Sequence, residues 1–233
     1  MMARRDRLGE LALGALGALL AACGGTVTTG GGGGGGAGGQ GPGLCETYLD
    51  QTSDDGAPRP TTVRLVNLRA SDVFLGDPTQ GCYGYVPFSL AQGGEAVEPR
   101  LGGCQFTCET MMSGQCSCPA ICEQPQIVRL APGGTYELTW EGFDYLPAQL
   151  PSECNTAGCS GECFIPRYAS GLYEVTGTAY PELDCSGGDC TCEPDASGAC
   201  VVDGAAAVAG GPITTSVTYD YASTVWELEL VFE

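Results

Sequence analysis

Four runs in the second half of the chain alternate apolar and polar residues with a period of two. In residues 135–141, Tyr136, Leu138 and Trp140 face one way, and Thr135, Glu137, Thr139 and Glu141 the other. In residues 171–180, Tyr173 and Val175 oppose Glu174 and Thr176. Residues 214–221 set Val217, Tyr219 and Tyr221 on one face, and in the last run Trp226, Leu228, Leu230 and Phe232 oppose Glu227, Glu229 and Glu233. Successive side chains of a strand point to opposite faces, so this pattern predicts strands with one buried and one wet side. It places Trp140 and Trp226 both in the core. Residues 61–68 are rich in β-branched and apolar side chains, and shorter runs follow at 71–75 and 126–130. The last of these is stopped by Pro132-Gly133-Gly134, a strong turn signal. Residues 222–225, between the two final runs, predict a hairpin loop. No stretch beyond the N-terminal region sustains a helical period.

Alternating strands with one wet face predict an all-β fold of antiparallel sheets packed as a sandwich. The strand spacing suggests an immunoglobulin-like arrangement. Pro132-Gly133-Gly134 before Tyr136-x-Leu138-x-Trp140, then Gly171-x-Tyr173-x-Val175, resembles the ladder of exported, cysteine-rich β-sandwich lipoproteins of myxobacteria. It is also similar to the intracellular proteinase inhibitor fold of bacilli. The resemblance spans residues 126–233 and implies a fold, with no functional residue carried over.

The N-terminus obeys a different pattern. Arg4, Arg5 and Arg7 precede an apolar stretch over residues 11–22 that is broken only by glycines. Such a stretch is too short to cross a bilayer and reads as a secretory signal peptide. It ends Leu20-Ala21-Ala22-Cys23, which resembles the lipobox of bacterial lipoproteins. The resemblance implies cleavage before Cys23 and acylation of Cys23, a palmitate-bearing residue one of the mature protein. An ordinary signal peptide cut near Ala22 is the alternative. Gly24, where an aspartate would resemble the inner-membrane retention signal of enterobacteria, implies the outer membrane, on its periplasmic or surface face. Residues 24–43 include seven consecutive glycines, Gly30 to Gly36, and cannot offset their own ordering entropy. They predict a flexible tether with a root-mean-square span of roughly 25 Å. The expected organisation is a signal peptide at 1–22, a lipidated cysteine and tether at 23–43, and one disulfide-rich sandwich domain at 44–233.

Charge and residue inventory narrow the function. Net charge is −19. Residues 1–22 hold three arginines and two acids, so the remainder carries six basic against 26 acidic residues. Nucleic acid is excluded as a natural partner, and anionic lipid offers no electrostatic docking, so the membrane is met through the acyl anchor. The chain has no histidine and no lysine. Ser-His-Asp and Cys-His catalysis, zinc protease sites and Schiff-base chemistry are therefore absent. No cofactor is implied, and the expectation is a non-enzyme. A carboxylate-dependent glycosidase is the enzymatic rival, and it requires two carboxyls facing each other across a cleft.

Fifteen cysteines, one of them Cys23, leave an even fourteen: Cys45, Cys82, Cys104, Cys108, Cys116, Cys118, Cys122, Cys154, Cys159, Cys163, Cys185, Cys190, Cys192 and Cys200. In an exported chain these read as disulfides of undetermined pairing. They avoid most of the strand runs and gather in turn-rich segments. The two Cys-x-Cys pairs are expected to bond outward, because self-closure needs strained geometry. The rival is a soft-metal thiolate site. Residues 50–56, Asp50-x-Thr52-x-Asp54-Asp55-Gly56, approach a calcium loop, but the glycine is one position late and Thr61 stands where glutamate is needed. Met111-Met112, between Cys108 and Cys116, admits a protease-inhibitor bait loop or a methionine pair folded inward. Taken together, the chain reads as a lipid-anchored, extracytoplasmic interaction module, with protease inhibition and thiolate metal binding as alternatives.

Overall fold

The computed structural model describes residues 43–52, 57–77, 82, 84–120, 126–155, 158–159, 161–186, 190–202, 206–222 and 224–233. The signal peptide, Cys23, nearly all of the tether, Cys122 and the second half of the calcium-like loop lie outside them. In chain order the strands are β1 (Thr61–Asn67), β2 (Val73–Leu75), β3 (Phe88–Gln92), β4 (Glu95–Val97), β5 (Val128–Leu130), β6 (Thr135–Trp140) and β7 (Phe143–Gln149). They continue with β8 (Glu162–Tyr168), β9 (Leu172–Ala179), β10 (Glu182–Asp184), β11 (Ala199–Val201), β12 (Ala207–Ala209), β13 (Ile213–Asp220) and β14 (Glu227–Phe232). A five-residue helix, α1 (Cys108–Met112), and a 3₁₀ turn at Glu46–Tyr48 complete the fold.

The all-β, disulfide-rich fold expected from the alternation is the one observed. Two sheets face each other, in the orders β14-β1-β6 and β13-β9-β3-β4. Their inner faces share one core: Val63 and Leu65 of β1, Leu228, Leu230 and Phe232 of β14, and Trp140 of β6 meet Tyr173 and Val175 of β9 and Leu90 of β3. Gly177 of β9 lets the sheets approach, because a Cβ there would stand 3.2–3.3 Å from Leu230. A smaller sheet, β11-β5-β2, extends the same core through Val73, Leu75 and Leu130. The β7–β8 hairpin and the β10–β12 pair lie outside these sheets.

Trp140 anchors one end of the sandwich. Its ring lies edge-on to Tyr173 at 5.2 Å and tilted against Tyr221 at 5.3 Å. Each buried aromatic has its polar tip satisfied: Trp140 Nε1 donates to Phe143 O at 2.8 Å, and Tyr221 Oη to Arg59 O at 2.8 Å. Large rings supply the apolar area, and their partnered polar atoms avoid the desolvation penalty.

Two expectations need correction. The two last runs do not form a hairpin. β13 pairs antiparallel with β9, whereas β14 pairs parallel with β1, so the intervening chain crosses from one sheet to the other. Tyr219 Oη holds that crossing by donating to Val225 O at 2.9 Å. Period two fixes which face is buried but carries no information about the partner strand. Among the described residues every other strand pairing is antiparallel. Second, Trp226 is 56% exposed. It precedes the first residue of β14 and stands at the crossing, where the alternation it shares in sequence no longer maps onto a pleat. Cys163 lies in β8 and Cys200 in β11.

Asn67 closes β1 and ties two sheets together. It is fully buried, and its Nδ2 donates to Ser71 O at 2.9 Å, Leu130 O at 2.9 Å and Ala131 O at 3.2 Å. Its Oδ1 accepts from Arg69 N at 3.1 Å. Removing this side chain strands several buried carbonyls, at a cost of about 1–3 kcal/mol for such groups. We predict that Asn67→Ala lowers the urea unfolding free energy by about 2 kcal/mol, while the outward-facing Thr62→Ala stays within about 0.5 kcal/mol. Equal effects would show that Asn67 is not a sheet-to-sheet tie.

Candidate functional site

Disulfides hold a cap against one end of the sandwich. Cys108, at the start of α1, bonds Cys163 of β8, and Cys116 bonds Cys159 in the turn that precedes β8. Cys45 bonds Cys154, and Cys104 bonds Cys118. At the other end, Cys185 bonds Cys190 and Cys192 bonds Cys200. Cys82 is also disulfide-bonded. Neither Cys-x-Cys pair closes on itself. Chain entropy accounts for the value of these links: a loop like that between Cys108 and Cys163 contributes about 4 kcal/mol, and the shortest about 2 kcal/mol. Such help is needed here, because the cap core is small. It consists of Cys108, Met111, Cys159 and Cys163, with Phe106, Leu150 and Ile165 packed against them.

This arrangement bears on two sequence expectations. Met111 is 1% exposed and packs into the cap core. Met111 thus folds inward from a helix turn capped by Thr107 Oγ1, which accepts from Thr110 N at 3.2 Å, while Met112 is half-buried. Every cysteine among the described residues from Cys45 to Cys200 is oxidised in a disulfide, so none of them offers a thiolate to a soft metal. Asp50 of the calcium-like segment spends its Oδ1 on Thr52 N at 2.7 Å, a local turn.

A cleft of ≈ 740 Å³ opens between β3 and β4 on one side and the cap on the other. Its cap wall is Phe106, Met111 and Phe164, and its sandwich wall includes Val86, Leu90 and Val97. Both walls are pinned. The β7–β8 hairpin joins the end of β4 through Glu98 N donating to Tyr145 O at 3.1 Å and Tyr145 N donating to Glu98 O at 3.0 Å. Phe164 N donates to Phe106 O at 3.0 Å, which fixes the approach to α1. Gln105 Oε1 accepts from Gly84 N at 3.0 Å and Gly102 N at 2.9 Å, closing one edge. Gly84 is required there, because a Cβ would stand 2.6 Å from Arg100 O.

Glu98 and Glu162 both line this cleft. Neither has a cation within ion-pairing distance among the described residues, whereas Glu137, Asp72 and Asp144 each face an arginine. Burial raises the Glu98 carboxyl above its ordinary range, and the Glu162 charge raises it further. Tyr85 lines the same space. Burial, with the nearby Tyr180 and Asp77, pushes this phenol far upward and holds it neutral. Two carboxylates on one cleft are the residue type that acid–base glycoside hydrolysis uses. The rest of the wall mixes apolar side chains with Asp77, Ser89 and Gln105.

A second polar cluster lies behind the cleft. Asp144 of β7 is fully buried, and its Oδ2 accepts from Tyr173 Oη at 2.5 Å and from Arg167 Nε at 3.3 Å. Arg167 also donates to Gln92 of β3, and Gln92 donates to Ser170 O. Together these bonds stitch the hairpin to β3 and β9. Asp144 Oδ1 has no hydrogen-bond partner among the described residues. No motif singled out Glu98, Glu162, Tyr85 or Asp144 in the sequence, because their neighbours come from distant segments.

Compared with known proteins, the chain matches no family model, no curated protein and no solved structure.

The Asp144 environment makes a pH prediction with a definite sign. Burial raises its carboxyl above the ordinary value of 3.8, and this outweighs the opposing Tyr173 hydrogen bond and Arg167 charge. The folded state then binds this proton more tightly than the unfolded chain does. Asp144 therefore adds stability as pH falls through its raised folded value toward 3.8. Urea melts at descending pH will show wild type gaining stability relative to Asp144→Asn across that window. A relative loss would mean that the Arg167 ion pair outweighs burial.

Proposed function

We propose that the protein is a lipid-anchored, extracytoplasmic binding module: acylated Cys23 holds it on the envelope, the glycine-rich segment acts as tether, and the sandwich presents the capped cleft to a partner. The single observation that supports this reading is the density of disulfides closing the cap around a cleft of ≈ 740 Å³. Disulfides of this density belong to oxidising compartments, which agrees with the export pattern at the N-terminus. Pockets of roughly 300–1,000 Å³ with apolar walls and a few polar groups are the usual form of a ligand site. No helix among the described residues is long and apolar enough to cross a membrane. Anchoring in this reading thus comes from acyl chains, and stable attachment needs more than one of them. The outer membrane is the proposed location, and the module acts without catalysis.

Metabolic labelling with a clickable palmitate analogue tests the anchor. The wild-type chain will carry the label and sediment with outer-membrane vesicles. Cys23→Ala will carry none. Label retained in Cys23→Ala, or none in wild type, would remove the lipid anchor from the reading.

A further inference from the structure

We infer that the cleft takes a basic peptide segment, one that sets an arginine or lysine beside an apolar side chain. This rests on the binding-module reading and names the chemistry of its partner. The argument begins with charge. Glu98 and Glu162 line the cleft with no cation within ion-pairing distance among the described residues, while Arg64, Arg129 and Arg167 each pair with an acid elsewhere. Glu98 is half-buried, so its charge lacks both full hydration and a partner. A carboxylate in that position is stabilised by an incoming cation more than a solvated one would be.

The identity of the cation follows from geometry. Among the described residues no three acidic or cysteine side chains converge as a metal cluster. Two carboxylates fall short of the six or more oxygens that a hard divalent cation takes, and suit cationic side chains better. Phe106, Phe164 and Met111 line the facing wall and offer a surface for an apolar side chain. Tyr85 lines the same space and brings a phenol hydroxyl to it. A volume of ≈ 740 Å³ holds several side chains, more than a simple amine would fill. Anionic partners are disfavoured by the net charge of −19.

Isothermal titration tests this on the full-length protein extracted from membranes in a neutral detergent, against empty micelles. The probe is acetyl-Arg-Phe-Arg-Leu-amide, compared with the same peptide carrying citrulline at both arginines. The arginine peptide is expected to bind, and the citrulline peptide to bind at least ten-fold more weakly. Glu98→Gln/Glu162→Gln should weaken binding about ten-fold. Glu174→Gln/Glu193→Gln removes the same charge at exposed positions away from the cleft and should stay within about two-fold. If the cleft double variant fails to fold, the exposed Glu162→Gln alone carries the test, with about a three-fold loss. No heat at millimolar peptide overturns the inference. So does equal binding of the citrulline peptide, or an equal loss in both double variants, which would reveal only the attraction of net charge. Palmitate labelling at Cys23 without peptide binding would sink this inference and leave the module reading intact. Cleft-dependent binding without labelling would do the reverse.

Discussion

The Cys108–Cys163 disulfide joins the first turn of a five-residue helix to the second strand of a hairpin, and the geometry of the cleft follows from it. A helix this short has no stability of its own in water. The cap core is likewise too small to hold α1, the β8 strand and the approach to both in register. Covalent closure supplies what apolar burial cannot. Cys116–Cys159 repeats the tie one turn later, and Phe106, Met111 and Phe164 are thereby fixed as a wall. The sandwich needs no such help, since its core holds Trp140, Tyr173, Phe232 and the leucines of β1 and β14. The molecule thus combines a self-supporting body with a cap whose shape depends on oxidation.

The two parts are coupled by polar groups as well as by sulfur. Asp144 and Arg167 sit on the hairpin, Gln92 on β3 and Tyr173 on β9, and they form one network. Burying a carboxylate this way costs stability unless its partners are well placed, so the network contributes position more than strength. It sets the hairpin against the sheet on one side, as the Glu98–Tyr145 bridge does on the other. A cleft wall held from both directions changes shape little on binding, which lowers the entropic cost of recognition.

Much of the body was legible in the sequence. The alternations at 135–141, 171–180 and 214–221 named the buried faces of β6, β9 and β13, and Pro132-Gly133-Gly134 marked the turn before β6. These signals are local, and each needs only the two-residue repeat of a strand. The parallel pairing of β1 with β14 was not legible, because pairing depends on partners that no local pattern identifies. Trp226 misled for a related reason: its phase matches Leu228, yet the strand starts after it. The cap and cleft were hidden more deeply. Their strands, β7 and β8, carry weak alternation and prolines at 147 and 166, and disulfides rather than hydrophobic pattern position them. Cysteine positions announced cross-linking but not pairing, so the meeting of Glu98 with Glu162 had no signature in sequence.

The central claim is that oxidised cysteines frame the cleft. Non-reducing peptide mapping of the membrane-extracted protein, with free thiols blocked at lysis, tests it most directly. The account predicts that peptides carrying Cys108 and Cys163 are recovered linked, as are those carrying Cys116 and Cys159, with neither pair alkylated. Recovery of these four cysteines as alkylated thiols, or linked in other combinations, would contradict it and leave the cap without the constraint that shapes the cleft.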